Sequence, residues 1–230
     1  MTTLIPSGFP ERRGPRPLPD LSQEQELRAC GYRWVAGVDE AGRGAWAGPV
    51  YAAAVVLPLD RSDLPALLAD VRDSKQLSPS QREALYPLIR EVALAVGVGW
   101  AEVEEIHALG ILAATRLAMV RAVAQLDKVD ALLIDHIHLP EIPLPQRSLS
   151  KADQRCLSVA AASIIAKVER DRKMVELDRQ YPGYGFAAHK GYGTPQHRWA
   201  LERLGPSPVH RRTWRPIALQ DARSFSHPSP

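Results

Sequence analysis

The chain has 230 residues, 45% of them hydrophobic and 24% charged, with a formal net charge of +3; this composition excludes disordered and fibrous classes and fits one soluble globular domain. The modest total hides an asymmetry, because residues 1–145 carry 14 Lys and Arg against 19 Asp and Glu, whereas residues 146–230 carry 15 against 7. An acidic first part beside a basic second part suits a polyanionic partner approaching acidic, metal-holding chemistry, and it equally suits an uneven solvated surface.

Residues 1–20 contain Pro6, Pro10, Pro15, Pro17 and Pro19 with Arg12, Arg13 and Arg16, which cannot bury a core and reads as a flexible leader. It has no apolar h-region of a secretory signal, and no run in the chain reaches the ~18 apolar residues of a membrane span. Cys30 and Cys156 match neither a zinc spacing nor a disulfide framework, so free thiols in a reducing compartment, the cytoplasm by elimination, are expected.

The stretches "WVAGVDE" (34–40), "VYAAAVVLP" (50–58), "VALAVGVGWA" (92–101) and "ALLIDHI" (131–137) are short apolar runs bounded by turn residues and predict strands, with "RSLSKAD" (147–153) a weaker fifth. The first two are joined by too few residues for a crossover helix and predict an antiparallel hairpin. Ser78 and Pro79 open a helix as cap and first-turn residue. Residues 103–126 place Ile106, Leu109, Leu112, Leu117, Val120 and Val123 near helical period. Residues 154–181 predict a long helix with an Ala-rich first half, and 194–205 a short one stopped at Gly205. A strand hairpin followed by alternating strands and helices argues an α/β domain over residues 21–217, with a mixed sheet flanked by helices and a C-terminal helical segment; residues 218–230 read as a loose tail.

Acids gather at the strand ends: Asp39 and Glu40 after the first strand, Asp135 after the fourth, Asp153 after the fifth. Four converging carboxylates repel one another unless divalent cations sit among them. Oxygen-only ligands favour Mg²⁺ or Mn²⁺, and two such ions ~3.5–4 Å apart can activate a water and stabilise the leaving oxygen of a phosphodiester. Neighbouring strand residues face opposite ways, so Asp39 and Glu40 serve one site only where the strand bends or ends, and the glycines behind them allow a bend.

The stretch "VAGVDEAGRG", followed in order by "DSKQLS" (73–78), "LAM" (117–119), "LLID" (132–135), "KAD" (151–153), "AASIIAKVERD" (161–171), "YGF" (184–186), "HKGYGT" (189–194) and "HRRTW" (210–214), resembles the type 2 ribonucleases H, specifically bacterial ribonuclease HII. The likeness spans nearly all of residues 34–216. It implies a ribonuclease H-like fold with a mixed five-stranded sheet, and an endoribonuclease acting on RNA/DNA hybrids and on DNA duplexes containing ribonucleotides, with 3′-hydroxyl and 5′-phosphate products. Roles in ribonucleotide removal from DNA and in RNA primer removal follow from the same resemblance. The family's metal-binding carboxylates fall on Asp39, Glu40, Asp135 and Asp153, with two ions, Mn²⁺ or Mg²⁺. Gly42, Arg43 and Gly44 would approach the ribose and hydrogen-bond its 2′-hydroxyl, the group that separates RNA from DNA. Tyr192 matches the tyrosine that packs on the following nucleotide. Lys75 matches a phosphate-contacting lysine, and Lys190, Arg211 and Arg212 add expected backbone contacts.

The chain departs from the family at three points. It has His136 and His138 after the third acid where glycine is usual, Gly110 where asparagine is usual, and "KAD" for "KGD". The two histidines, on a strand, would share a face away from Asp135, so a strand exit that varies is favoured over a zinc site. Cys156 is expected to be a small core residue rather than a nucleophile. Two rivals are a non-catalytic hybrid-binding module, which retention of all four acids opposes, and the related ribonuclease HIII, with its preference for RNA runs, which "GRG" and Tyr192 oppose. No protein partner is readable, and a monomer is the default.

Overall fold

The computed structural model describes residues 18–218, so the expected leader and tail lie almost wholly outside the described residues. Five strands, β1 (Val35–Ala41), β2 (Val50–Val56), β3 (Ala95–Ala101), β4 (Ala131–Asp135) and β5 (Gln146–Leu149), form one sheet in the order β3-β2-β1-β4-β5. β1 pairs antiparallel with β2, and β2 with β3, while β4 runs parallel to β1 and β5 parallel to β4. The mixed sheet and the leading hairpin are as the sequence predicts.

The helices are α1 (Ser22–Ala29), α2 (Leu64–Leu67), α3 (Pro79–Val92), α4 (Val103–Leu109), α5 (Ile111–Val123), α6 (Leu157–Gln180), α7 (Phe186–His189) and α8 (Pro195–Leu204). Among the described residues no helix is long and apolar enough to cross a membrane. α6 packs across β1 and β2 on one face of the sheet, with its stretch Leu157–Ala166 wholly buried. α5 covers the other face with Ala114, Ala118, Met119, Ala122 and Val123. Small side chains let both helices come close. At Gly37 of β1 an added Cβ would stand 2.2 Å from the backbone of Ser158, so that position excludes a side chain by contact alone.

The starts of α3 and α6 follow from the groups that cap them. The Ser78 hydroxyl accepts from the Gln81 amide at 3.2 Å while the Gln81 side chain accepts from the Ser78 amide at 2.8 Å, a reciprocal capping box. α1, which the sequence reading did not single out, caps α6 from outside: buried Glu24 accepts from the Ser158 amide at 2.8 Å and from its hydroxyl at 2.6 Å. Asp20 then pairs with Cys156 in an isolated bridge.

Three expectations need correction. The helix predicted over 103–126 is two helices, broken at Gly110, whose φ of 79° and ψ of 159° only glycine adopts readily. Leu109 and Leu112, placed on its apolar face by periodicity, are 53% and 47% exposed, and the small residues of α5 make the core contact instead. The predicted strand over 131–137 ends at Asp135, and His136 takes a left-handed φ of 61°. His136 and His138 therefore lie in an exposed turn beyond the strand, not on one strand face. Last, the long helix opens at Leu157 rather than 154, because Ala152–Gln154 form a short 3-10 turn that carries Asp153.

Candidate active site

The parallel register of β1 and β4 matches Val38 with Ile134, so Asp39 and Asp135 sit one residue further along on adjacent strands. Asp153 arrives from the 3-10 turn that leads into α6, and the Asp135 carboxylate accepts from the Ala152 amide at 2.7 Å, which ties that turn to the end of β4. Asp39 and Asp153 are each only 3% exposed. Burial first, and then the charges of Glu40 and Asp135, raise the Asp39 pKa well above the usual carboxylate range. Burial also raises Asp153, partly offset by Lys75. The four acids predicted from the strand ends thus form one electrostatic cluster.

β1 continues through Glu40 to Ala41, so the bend expected directly behind the acids comes one step later, at Gly42 with φ of 89°. Asp39 and Glu40 consequently alternate across the pleat, and among the described residues no three Asp, Glu, His or Cys side chains converge tightly enough to hold a metal ion as they stand. The donor set still fits a hard divalent cation. It consists of carboxylate oxygens alone, two of its members are desolvated, and Glu40 Oε2 is buried with no hydrogen-bond partner among the described residues.

Lys75 stands among the acids with its ammonium 3.2 Å from Asp153 and 3.8 Å from Asp73. Partial burial works against its charge, but Asp39, Asp73 and Asp153 outweigh that and raise its pKa. Asp73 is a buried acid that the reading of "DSK" passed over in favour of the lysine. It caps its own turn by accepting from the Lys75 amide at 3.0 Å and accepts from the Gln154 amide group at 3.2 Å. An acid five residues before a helix cap resembles an ordinary turn residue in sequence, and only its burial sets it apart.

Behind Glu40 lies the loop 42–49. The amides of Gly42, Arg43 and Gly44 have no acceptor among the described residues, Arg43 and Gly44 are exposed, and the space beside the Gly44 Cα is open. The Arg43 guanidinium is 3.5 Å from the Glu40 carboxylate. Next to this loop, the turn between α7 and α8 joins it through the Trp46 amide, which donates to the Gly191 carbonyl at 2.8 Å. That turn carries Tyr192, 37% exposed, with the Lys167 ammonium 5.5 Å and the Arg170 guanidinium 5.4 Å from its ring centroid. The ring is therefore held by cations and keeps an accessible part.

Next to Tyr192 three histidine rings cluster, His189 stacked on His197 and His210 tilted against it. His210 Nδ1 accepts from the Ser207 amide at 2.9 Å, which leaves its Nε2–H to donate to His197 Nε2 at 3.0 Å. His197 Nδ1–H then donates to the Tyr192 carbonyl at 3.0 Å. His189 lies 4.4 Å from His197, ring on ring. Burial pushes His197 down to about 4 and His210 down to about 3, so all the donors and acceptors of this chain are those of neutral rings.

The basic residues expected at substrate phosphates divide. Lys190 is half-buried and Arg212 is exposed, its amide donating to His107 Nε2 at 2.9 Å. Arg211 is a correction: it is fully buried, with its guanidinium on the carbonyls of Gly42, Arg43, Gly48 and Pro49. Its donors are consumed inside the protein and cannot reach a phosphate. Cys156 is buried in the core, with burial pushing its thiol up to about 12, as suits a packing residue.

A family model described as Ribonuclease HII matches residues 36–217. A ribonuclease HII of Chloroflexus aggregans is 59% identical over 200 residues, covering 86% of this chain and 94% of the relative. The ribonuclease HII of Thermus thermophilus is 56% identical over 190 residues, 82% and 90% of the two chains. Among solved structures, ribonuclease H2 from Pyrococcus horikoshii superposes with a TM-score of 0.71 at 29% identity, covering 85% of this chain and all of the other.

Proposed function

The chain belongs to the ribonuclease HII family and is a ribonuclease H, an endonuclease acting on RNA paired with DNA; from that premise we propose that it also nicks DNA duplexes on the 5′ side of an embedded ribonucleotide, using two divalent ions. The observation that carries this reading is the desolvated carboxylate cluster lying directly beside a loop whose amides are unpaired among the described residues. One half suits phosphodiester hydrolysis, and the other suits recognition of a hydroxyl.

Asp39, Glu40, Asp135 and Asp153 would hold the ions, with the unpaired Glu40 Oε2 finding its partner there. Bound Mg²⁺ or Mn²⁺ would lower the pKa of an attacking water and offset charge on the leaving 3′-oxygen, which leads to 3′-hydroxyl and 5′-phosphate ends. The protein's own groups perform the rest. The amides of Gly42, Arg43 and Gly44 donate to the 2′-hydroxyl that deoxyribose lacks, and a site that leaves those donors unpaired rejects DNA. The Tyr192 ring, backed by Lys167 and Arg170, packs on the next nucleotide and tolerates its missing hydroxyl. Lys75, exposed and aimed into the acids, contacts a phosphate oxygen once cations share the carboxylate charge. Such an enzyme serves ribonucleotide removal from DNA and removal of RNA primers.

The test compares a DNA duplex bearing one ribonucleotide with an all-RNA/DNA hybrid, in Mg²⁺ and in Mn²⁺. Nicking at the lone ribonucleotide is expected. Cutting confined to RNA runs would sink the junction-reading assignment of the loop and Tyr192, and binding without cutting would reduce the protein to a hybrid-binding module.

A further inference from the structure

Arg170 and Arg211 are the two largest fully buried side chains of the described residues, and neither has a carboxylate within ion-pair distance. Burial of an unpaired charge is costly, so its retention requires acceptors. Here these are backbone carbonyls, all but one of them from a single loop. Arg211 donates from Nε to Gly48 at 3.0 Å, from Nη1 to Arg43 at 2.8 Å, and from Nη2 to Gly42 at 2.7 Å and Pro49 at 3.3 Å. Arg170 donates from Nε to Pro49 at 2.9 Å, from Nη2 to Ala47 at 3.1 Å and from Nη1 to the Lys190 carbonyl at 2.9 Å. Two guanidiniums thus turn the carbonyls of Gly42, Arg43, Ala47, Gly48 and Pro49 inward.

A trans peptide points its C=O and the following N–H in opposite directions. With the Gly42 carbonyl held by Arg211, the Arg43 amide must face away from it; with the Arg43 carbonyl held likewise, so must the Gly44 amide. These two amides have no acceptor among the described residues. Gly42 joins the arrangement from the other side. A Cβ there would lie 1.8 Å from Arg170 Nε, so the glycine makes room for the buried guanidinium rather than for a ribose. Arg170 also lies under the Tyr192 ring. Burial, and then the charge of Arg170, lower the Arg211 pKa to about 9, still above neutrality, so the guanidinium remains a cation.

We propose that Arg170 and Arg211 are positioning residues for ribose recognition: a buried cationic clamp that holds the loop 42–49 by its carbonyls and so presents the Arg43 and Gly44 amides to the 2′-hydroxyl. The proposal rests on the reading of those amides as hydroxyl donors. Three elements share the clamp, since Arg170 belongs to α6, Arg211 to the segment after α8, and the Lys190 carbonyl to the turn before Tyr192. The clamp therefore sets the hydroxyl donors and the stacking ring relative to each other.

The test measures the affinity of the full chain, in EDTA, for a DNA duplex with one ribonucleotide and for the same duplex in DNA alone. The wild-type protein is expected to prefer the ribonucleotide. Arg211→Lys and Arg170→Lys keep the charge but lose the fork, and each should reduce that preference by about fivefold, the scale of one misaligned hydrogen bond; for Arg211→Lys, which leaves the Arg170–Tyr192 contact in place, affinity for the all-DNA duplex stays the same. A loss confined to the ribose preference is not what general loosening produces. A folded variant that retains the full preference overturns the proposal. A wild-type protein without preference overturns the hydroxyl reading on which the clamp's role depends. Should neither variant fold, NMR of the wild-type protein decides: slowly exchanging Nε–H signals of Arg170 and Arg211, coupled across hydrogen bonds to the carbonyl carbons of Pro49 and Gly48, are expected, and rapid exchange without coupling overturns the clamp.

Discussion

The acidic ends of β1 and β4 and the basic layer formed by the second half of α6, α7, α8 and the segment after it treat charge in opposite ways. At the acidic ends, carboxylates are buried against one another, Glu40 Oε2 has no partner among the described residues, and the pKa of Asp39 is held well above its ordinary value. In the basic layer the most deeply buried charges, Arg170 and Arg211, have every nitrogen on a carbonyl, and the histidines are neutral with ordered tautomers. The first region is frustrated without a ligand, and the second is complete in itself. The contrast teaches that a sequence-level excess of positive charge is not the same as a basic surface: part of the excess among residues 146–230 is internal scaffolding for a loop.

The comparison breaks first at Asp39. Asp39→Asn should lower cleavage by about a thousandfold or more, while thermal unfolding in EDTA shows a higher Tm, because a buried charge that repels Glu40 and Asp135 is gone. A lower Tm in EDTA would mean that the acids are satisfied after all.

The basic layer should fail in acid instead. The folded pKa values of His197 and His210, about 4 and about 3, lie below the ordinary value of 6.5. The unfolded chain therefore takes up protons that the folded protein refuses. Stability from this layer is full above pH 6.5 and is lost as pH falls from there through the folded values, by a few kcal/mol in all. Denaturant unfolding from pH 7 to pH 4, compared with His210→Gln, measures it; a variant with the same slope as wild type would remove the histidines from the account.

Lys75→Met sharpens the acidic side. Without that ammonium the cluster has less compensation, so Tm in EDTA should drop by the equivalent of about 1 kcal/mol and the rise on adding Mn²⁺ should grow. Equal Mn²⁺ shifts in variant and wild type would show that Lys75 and cation do not share the carboxylates. The smallest effect belongs to Tyr192→Phe. The ring and its two cations remain, so nicking of a one-ribonucleotide duplex should change by less than about twofold, and a larger loss would give the hydroxyl a role.

Much of this protein is legible in its sequence. Short apolar runs bounded by turn residues located five strands, the short connection made the first two a hairpin, and the position of Asp39, Glu40, Asp135 and Asp153 at strand ends assembled the acids, because in a sheet the strand order and direction bring like ends together. Those are properties of local period and of chain connectivity. Four things depended on the third dimension. The break at Gly110 was hidden because apolar residues continue at helical spacing on both sides of it. Asp73 looked like a turn residue until its burial was seen. Arg211 looked like a phosphate contact, and Gly42 like an opening for ribose, until each proved to be shaped by the other buried arginine or by the loop it holds. Sequence determines which charges and which freedoms the chain possesses; whether a charge meets solvent, a ligand or a carbonyl depends on contacts between residues that lie on different elements, and only packing decides those.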